Sequence, residues 1–274
     1  MRRESAPEHD GHLTAGPIEG AAGVEIVTIS ADILDRIRTR RPRVHCITNT
    51  VAQSFTANVI LAAGAVPSMT IAPDEIAAFV HRAEALLVNL GTLDNERRKA
   101  IDIAIKAAND RGLPWVLDPV LVDRSEPRAS YAHSLISNSP RAIRLNAQEF
   151  TALSGAGPDP DSLRGYALKT QAAIGLTGEV DLIANDARII ALKNGDPLMA
   201  YVTAMGCVAS ALIAACLAVE RDPWLATASA LLIWGVAGER AAKAAKGPGS
   251  FQVNILDTLY QLDCSHLIET ARVH

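Results

Sequence analysis

The sequence predicts an α/β fold, a mainly parallel sheet with helices on both faces. Three observations carry this. Short continuous apolar runs such as Ala85-Leu86-Leu87-Val88 read as strands buried on both sides. Helical stretches separate them, giving a β–α–β rhythm. The runs also stop at polar residues, at Asn89, Asp118, Asn146 and Thr177. In open parallel sheets ligands lie beyond the carboxyl ends of the strands, so these four endings mark one candidate edge.

Composition agrees with a globule that has a large core. The chain has 274 residues, 49% hydrophobic and 20% charged, with a net charge of −4. That balance argues against nucleic acid as a partner, and four Phe, four Tyr and three Trp are too few for a base-stacking surface. The four cysteines, at 46, 207, 216 and 264, have no C-x-x-C spacing. Isolated thiols suit a reducing compartment, hence a cytoplasmic protein. Residues 1–24 lack an apolar signal-peptide core and read as a disordered tail, leaving 25–274 as a single domain.

The elements follow in order. Ser30 with Asp32 and Asp35 reads as a helix start, and Pro42 ends that helix near Arg41. Five arginines within 36–43 read as a solvated helix end rather than an anion patch. Val44–Thr48 is a strand and Ser54–Ala63 a helix; the strand at 85–89 follows. Asp94–Arg111 is an amphipathic helix with Gly112 just past its end. Trp115–Leu117 and Ala142–Leu145 are further buried strands. Between Ser154 and Gln171 the text turns irregular, short for a crossover. Ile174–Thr177 is the next strand, and 181–184 with 188–192 flank Asn185-Asp186 as a hairpin, an antiparallel edge. Tyr201–Val219 and Pro223–Gly238 carry no charge, but their Ala, Ser, Thr and Gly content suits buried core helices rather than membrane spans.

Neither a Walker A loop nor a G-x-G-x-x-G fingerprint occurs, and seven scattered histidines form no metal motif. The informative segment is Ala204-Met205-Gly206-Cys207 ahead of a long apolar helix. A glycine there lets backbone N–H groups converge on an anion. Cys207 on the first turn is then an activated thiol or simply a small buried residue.

Nine short motifs occur in one order: His45-Cys46-Ile47-Thr48-Asn49, Pro67-Ser68-Met69, Asn89-Leu90-Gly91-Thr92, Asp118-Pro119-Val120, Asn146-Ala147-Gln148-Glu149, Thr177-Gly178-Glu179, Gly195-Asp196-Pro197-Leu198-Met199, Gly206-Cys207 and Gly247-Pro248-Gly249-Ser250-Phe251. With them, from about 26 to 262, the chain resembles the hydroxyethylthiazole kinase family of the ribokinase-like superfamily. The resemblance implies a three-layer sandwich that uses ATP and Mg²⁺ to phosphorylate the alcohol of 4-methyl-5-(2-hydroxyethyl)thiazole. That is a salvage step toward thiamine, and the family is a homotrimer. It further implies that Met69 and Gly206 contact the substrate, that Arg128, Thr177 and Asn49 serve ATP, and that Asp118 and Glu149 steer the metal. Cys207 stands where other ribokinase-like kinases carry an aspartate base.

Two departures bear on rate. The family's Gly-Thr-Gly-Cys is Ala204-Met205-Gly206-Cys207 here, which adds a Cβ and removes a hydroxyl, with bulk expected beside the phosphate path. The 155–176 segment is short, as if most of one helix were missing. Two alternatives therefore stand beside the thiazole kinase: a degenerate paralogue that binds a small ligand without efficient transfer, and a related kinase for a pyrimidine or pyridine alcohol.

Overall fold

A computed structural model describes residues 21–274. Eight strands form one sheet in the order β2-β1-β3-β4-β5-β6-β7-β8. They are β1 (Arg43–Ile47), β2 (Val66–Ser68), β3 (Ala85–Asn89), β4 (Trp115–Asp118), β5 (Ala142–Asn146), β6 (Ala173–Thr177), β7 (Asp181–Ala184) and β8 (Ile189–Leu192). The first six are parallel, and β7 and β8 add antiparallel at one edge, as the Asn185-Asp186 turn predicts. Pro67 sits in β2 at the opposite edge, where a missing N–H is tolerated.

Two apolar cores lie on the two sides of the sheet. Cys46, Leu87, Val116, Ala142 and Ala173 face one core, which is shared with α1 (Ala21–Arg40), α2 (Gln53–Ala62), α8 (Met205–Leu217), α9 (Pro223–Ala244), α10 (Pro248–Gln261) and α11 (Cys264–Thr270). Their strand neighbours Ile47, Leu86, Val88, Trp115, Leu117, Ile143 and Ile174 face the other. That core is shared with α3 (Ile76–Arg82), α4 (Asn95–Asp110), α5 (Glu126–Ile136), α6 (Ala147–Ser154) and α7 (Pro160–Thr170). The alternation is the two-residue strand period, and apolar residues in both phases produce the continuous runs seen in the sequence. Two short 3-10 turns (122–124 and 197–201) lie in connections. No helix among the described residues is long and apolar enough to cross a membrane; α8 and α9 are buried instead.

Three expectations need correction. Ser30 does not start a helix. It lies inside α1, fully buried, donating to the Ile26 carbonyl at 2.7 Å, with Ser229 Oγ paired to it at 3.0 Å. The apolar face Ile26, Val27, Ile33, Leu34 and Ile37 extends the helix back past the serine. Positions 21–24, assigned to the tail, are already helical; 1–20 lie outside the described residues. Residues 154–171 are also not irregular. Gly155 at φ +73 ends α6, Asp159 caps α7 by accepting from the Asp161 and Ser162 N–H groups, and Pro160 opens the helix. Leu163, Tyr166, Ala167 and Thr170 are its buried stripe, so the crossover helix is present.

The arginine-rich end of α1 is structural. Arg36 pairs with Asp32 and Glu220, and Arg38 donates to the carbonyls of Leu259, Tyr260 and Leu262. Those carbonyls are the open end of α10, so a cation from α1 closes a neighbouring helix.

Candidate active site

Parallel pairing brings the polar strand ends to one edge. Asn89 stands opposite Asp118 in register, and Asn146 opposite Thr177. Asn49 follows β1 on the same edge. Its amide nitrogen donates to Asn89 Oδ1 at 3.3 Å and to Cys207 Sγ at 3.1 Å, and its oxygen accepts from the Ala52 N–H. Gly91 makes this approach possible, because a Cβ there would lie 2.5 Å from the Asn49 Cβ. Asn89 then donates to Asp118 Oδ2 at 2.6 Å, and the Ser210 hydroxyl donates to the same oxygen at 2.9 Å. A chain of hydrogen bonds thus joins Cys207 to Asp118.

Asp118 is fully buried. Burial raises its pKa, against the opposing pull of Arg144, Ser210 and Asn89. Its Oδ1 has no hydrogen-bond partner, the closest cation being Arg144 Nη1 at 3.9 Å. Glu149 is 3% exposed and makes a capping box with Asn146 at the start of α6. Its oxygens accept from the Asn146 N–H at 2.9 Å and the Leu121 N–H at 3.0 Å. Burial, then the charge of Asp118, raises its pKa. Among the described residues no group of three or more His, Cys, Asp or Glu gathers to hold a metal.

At the start of α8 the turn is built as the glycine pattern implied, though without the glycine. Ala204 has φ +72, and no side chain caps the helix. An L-residue there costs roughly 1–2 kcal/mol, so the turn is made at the expense of stability. Met205 does not crowd the phosphate path as expected. It is 9% exposed and packs into the core with Val208 and Leu212, because the first turn of α8 faces inward at this position. Burial, and then the charge of Asp118, pushes the Cys207 thiol up to about 11.

Arg144 was missed in the sequence, and it completes the site. Its guanidinium lies against Gly206, where a Cβ would sit 2.5 Å from Nη1 and 2.8 Å from Cζ. It also donates to Thr177 Oγ1, while Nε has no partner. The available signal was one charged residue inside the apolar strand Ala142-Ile143-Arg144-Leu145. By contrast the guanidinium of Arg128 donates to the carbonyls of Leu90 and Val120, tying together the loops that follow β3 and β4. Met69 leaves the end of β2 and packs, partly buried, against the core. The structure therefore joins Asn49, Asp118, Thr177, Gly206 and Cys207 through Asn89, Ser210 and Arg144, with Glu149 beside Asp118. Arg128 and Met69 stand on flanking loops.

This arrangement pairs a helix N-terminus with a planar cation and two buried carboxylates, a setting for an anion whose charge grows during reaction. The model of the hydroxyethylthiazole kinase family matches residues 34–265. A probable hydroxyethylthiazole kinase of Agrobacterium fabrum is 46% identical over 244 residues, 89% of this chain and 94% of its own. A hydroxyethylthiazole kinase structure from Pyrococcus horikoshii superposes with a TM-score of 0.87 at 35% identity, covering 90% of this chain and 98% of that one. A ribokinase-like superfamily protein of Enterococcus faecalis, 15% identical, shares the fold with a TM-score of 0.65 over 84% of this chain and 94% of its own.

Proposed function

The chain belongs to the hydroxyethylthiazole kinase family, and from that premise we propose that it transfers the γ-phosphoryl group of ATP to the hydroxyl of 4-methyl-5-(2-hydroxyethyl)thiazole. The observation that carries the reading is Arg144 laid against Gly206 at the uncapped start of α8. Phosphoryl transfer asks the protein mainly for positioning and charge neutralisation. Arg144 and the first N–H groups of α8 hold the phosphates, and Thr177 fixes the guanidinium. In this reading Arg144 is the main phosphate arginine, and Arg128, which the family resemblance gives to ATP, holds the surrounding loops.

Cys207 faces the acceptor hydroxyl, oriented by Asn49. A loose transition state releases the hydroxyl proton late, so the small thiolate fraction of Cys207 suffices as acceptor, becoming the thiol as it takes the proton. Met69 gives the thiazole ring a soft contact, and Gly206 leaves room beside the phosphate. The carboxylates fit a hydrated Mg²⁺ that enters with the nucleotide. Asp118 Oδ1 is buried without a partner, and magnesium keeps waters rather than demanding a full protein cage. Asp118 and Glu149 would hold it, and bound there it neutralises phosphate charge.

The same reading gives a salvage step toward thiamine, run in the cytoplasm, where the free thiols Cys46, Cys207, Cys216 and Cys264 stay reduced. It also gives a homotrimer, as the family resemblance implies. The test is ADP release with the thiazole alcohol, pyridoxal and hydroxymethylpyrimidine in parallel. The thiazole alcohol should lead in kcat/KM by ~10-fold or more. Tight thiazole binding with no ADP release would make the chain a binding paralogue, and a lead by either competitor would move the substrate class.

A further inference from the structure

His45 is the one fully buried histidine of the described residues, and the chemistry above does not use it. It lies in β1, opposite Ser68 of β2 in parallel register. Its Nε2 is 3.0 Å from the Thr70 carbonyl and its Nδ1 2.8 Å from Ser68 Oγ. A carbonyl oxygen only accepts, so Nε2 carries the proton. Nδ1 is then the acceptor and the Ser68 hydroxyl the donor. Burial pushes the ring down to about 4, which keeps this single tautomer across neutral pH.

The two residues it grips stand immediately before and after Met69. Few other bonds hold this stretch. β2 is only three residues long and at the sheet edge, and α3 does not begin until Ile76. Thr70 Oγ1 donates to Glu75 and accepts from the Ala72 N–H, which orders the far side of the loop. The imidazole is itself seated against Phe79, ring centroids 5.8 Å apart. An aliphatic residue would fill the space under the loop without needing two partners. The two directed bonds add a fixed angle for the segment that carries Met69.

We propose that His45 is a positioning residue for the acceptor substrate: a two-point clamp that sets Met69 against the thiazole ring without touching the substrate. The inference rests on the reading of Met69 as a substrate contact. Its test is a set of three variants, His45→Phe, Ser68→Ala and Met69→Ala, each assayed for both Michaelis constants, kcat and melting temperature. His45→Phe keeps the packing on Phe79 and loses both bonds. It should raise KM for the thiazole alcohol by about tenfold, with KM for ATP within about twofold of wild type. Ser68→Ala, which removes one bond at a half-buried position, should raise the thiazole KM by about two- to threefold. A merely structural histidine would move both Michaelis constants together, or neither, and that result overturns the clamp. Should His45→Phe not fold, an unchanged thiazole KM in Ser68→Ala overturns it equally. Met69→Ala separates the two claims. A raised thiazole KM there with none in the other variants removes the clamp alone, whereas no change in Met69→Ala removes the Met69 contact and the clamp with it.

Discussion

Helices α8 and α9 pack side by side, yet they begin in opposite ways. At α9 the chain closes its own N-terminus. Asp222 accepts from the Trp224 N–H at 2.9 Å and the Leu225 N–H at 3.4 Å, and Pro223 supplies a first-turn residue with no N–H to satisfy. At α8 nothing closes it. The preceding residue is an alanine in the left-handed region, and the cation Arg144 lies against Gly206, with the buried Asp118 held by Ser210 one turn further along α8. A negative group is what the positive end of a helix dipole favours, so a guanidinium there works against stability. The difference separates a helix end built for the fold from one whose compensation must come from outside, as an anion.

The sharpest way to break this comparison is to remove the cation. Arg144→Met should lower kcat/KM for ATP by ~10²–10³, the usual effect of losing one strong donor to a developing charge. Arg144→Lys should recover little, because a point charge cannot lie flat on Gly206 while reaching Thr177. Arg128→Met serves as the comparison, with a smaller loss that goes together with a lower melting temperature. Steady-state kinetics on the three proteins decide between the two arginines. A larger loss at Arg128 would return the phosphate to it.

A second experiment asks what the open helix end does to Cys207. The thiol, held up to about 11 by burial and by the charge of Asp118, is protonated at neutral pH. If it accepts the proton of the substrate hydroxyl, its active thiolate grows with pH, and kcat keeps climbing above neutrality toward that value. Cys207→Ala should lose this rise and about 10² in kcat. A pH–kcat profile of the same shape in both proteins removes Cys207 as the acceptor.

The two helix ends also differ in how legible they were. Asp222-Pro223 is a local pattern, and so are Asp94 before α4 and Asn146 with Glu149 at α6. Each puts an acceptor within three residues of the N–H groups it satisfies, and strands with apolar residues in both phases are legible for the same reason. Ser30 shows the limit. The residue type suits a cap, but its partner is Ser229, 199 positions away, and the apolar stripe of α1 decides its place. The site divides in the same way. Asn49, Asp118, Thr177, Gly206 and Cys207 were found as strand ends or motif members. Arg144, Ser210 and the direction of Met205 depend on how α8 lies across β3 and β4, which no local spacing encodes.

The smallest effects weigh the stability of the two ends against each other. Met205→Thr, which vacates core volume, should cost ~2 kcal/mol or more, and Asp222→Ala should cost ~1 kcal/mol through its lost cap. Ala204→Gly runs the other way. Glycine relieves ~1 kcal/mol or more of left-handed strain and gives back ~0.5–1 kcal/mol in unfolded-chain entropy. The net gain is a fraction of a kcal/mol, and the melting temperature should rise by ~1–2 °C in a chain of this size. Because Ala204 already holds φ +72, the turn keeps its shape and the N–H groups of α8 already point where they will. Calorimetry beside steady-state kinetics should therefore find Ala204→Gly slightly more stable with kcat within about twofold of wild type. A large gain in kcat instead would mean that the alanine holds the turn away from the phosphate. The strain at α8 would then be a defect in catalysis rather than a load on the fold.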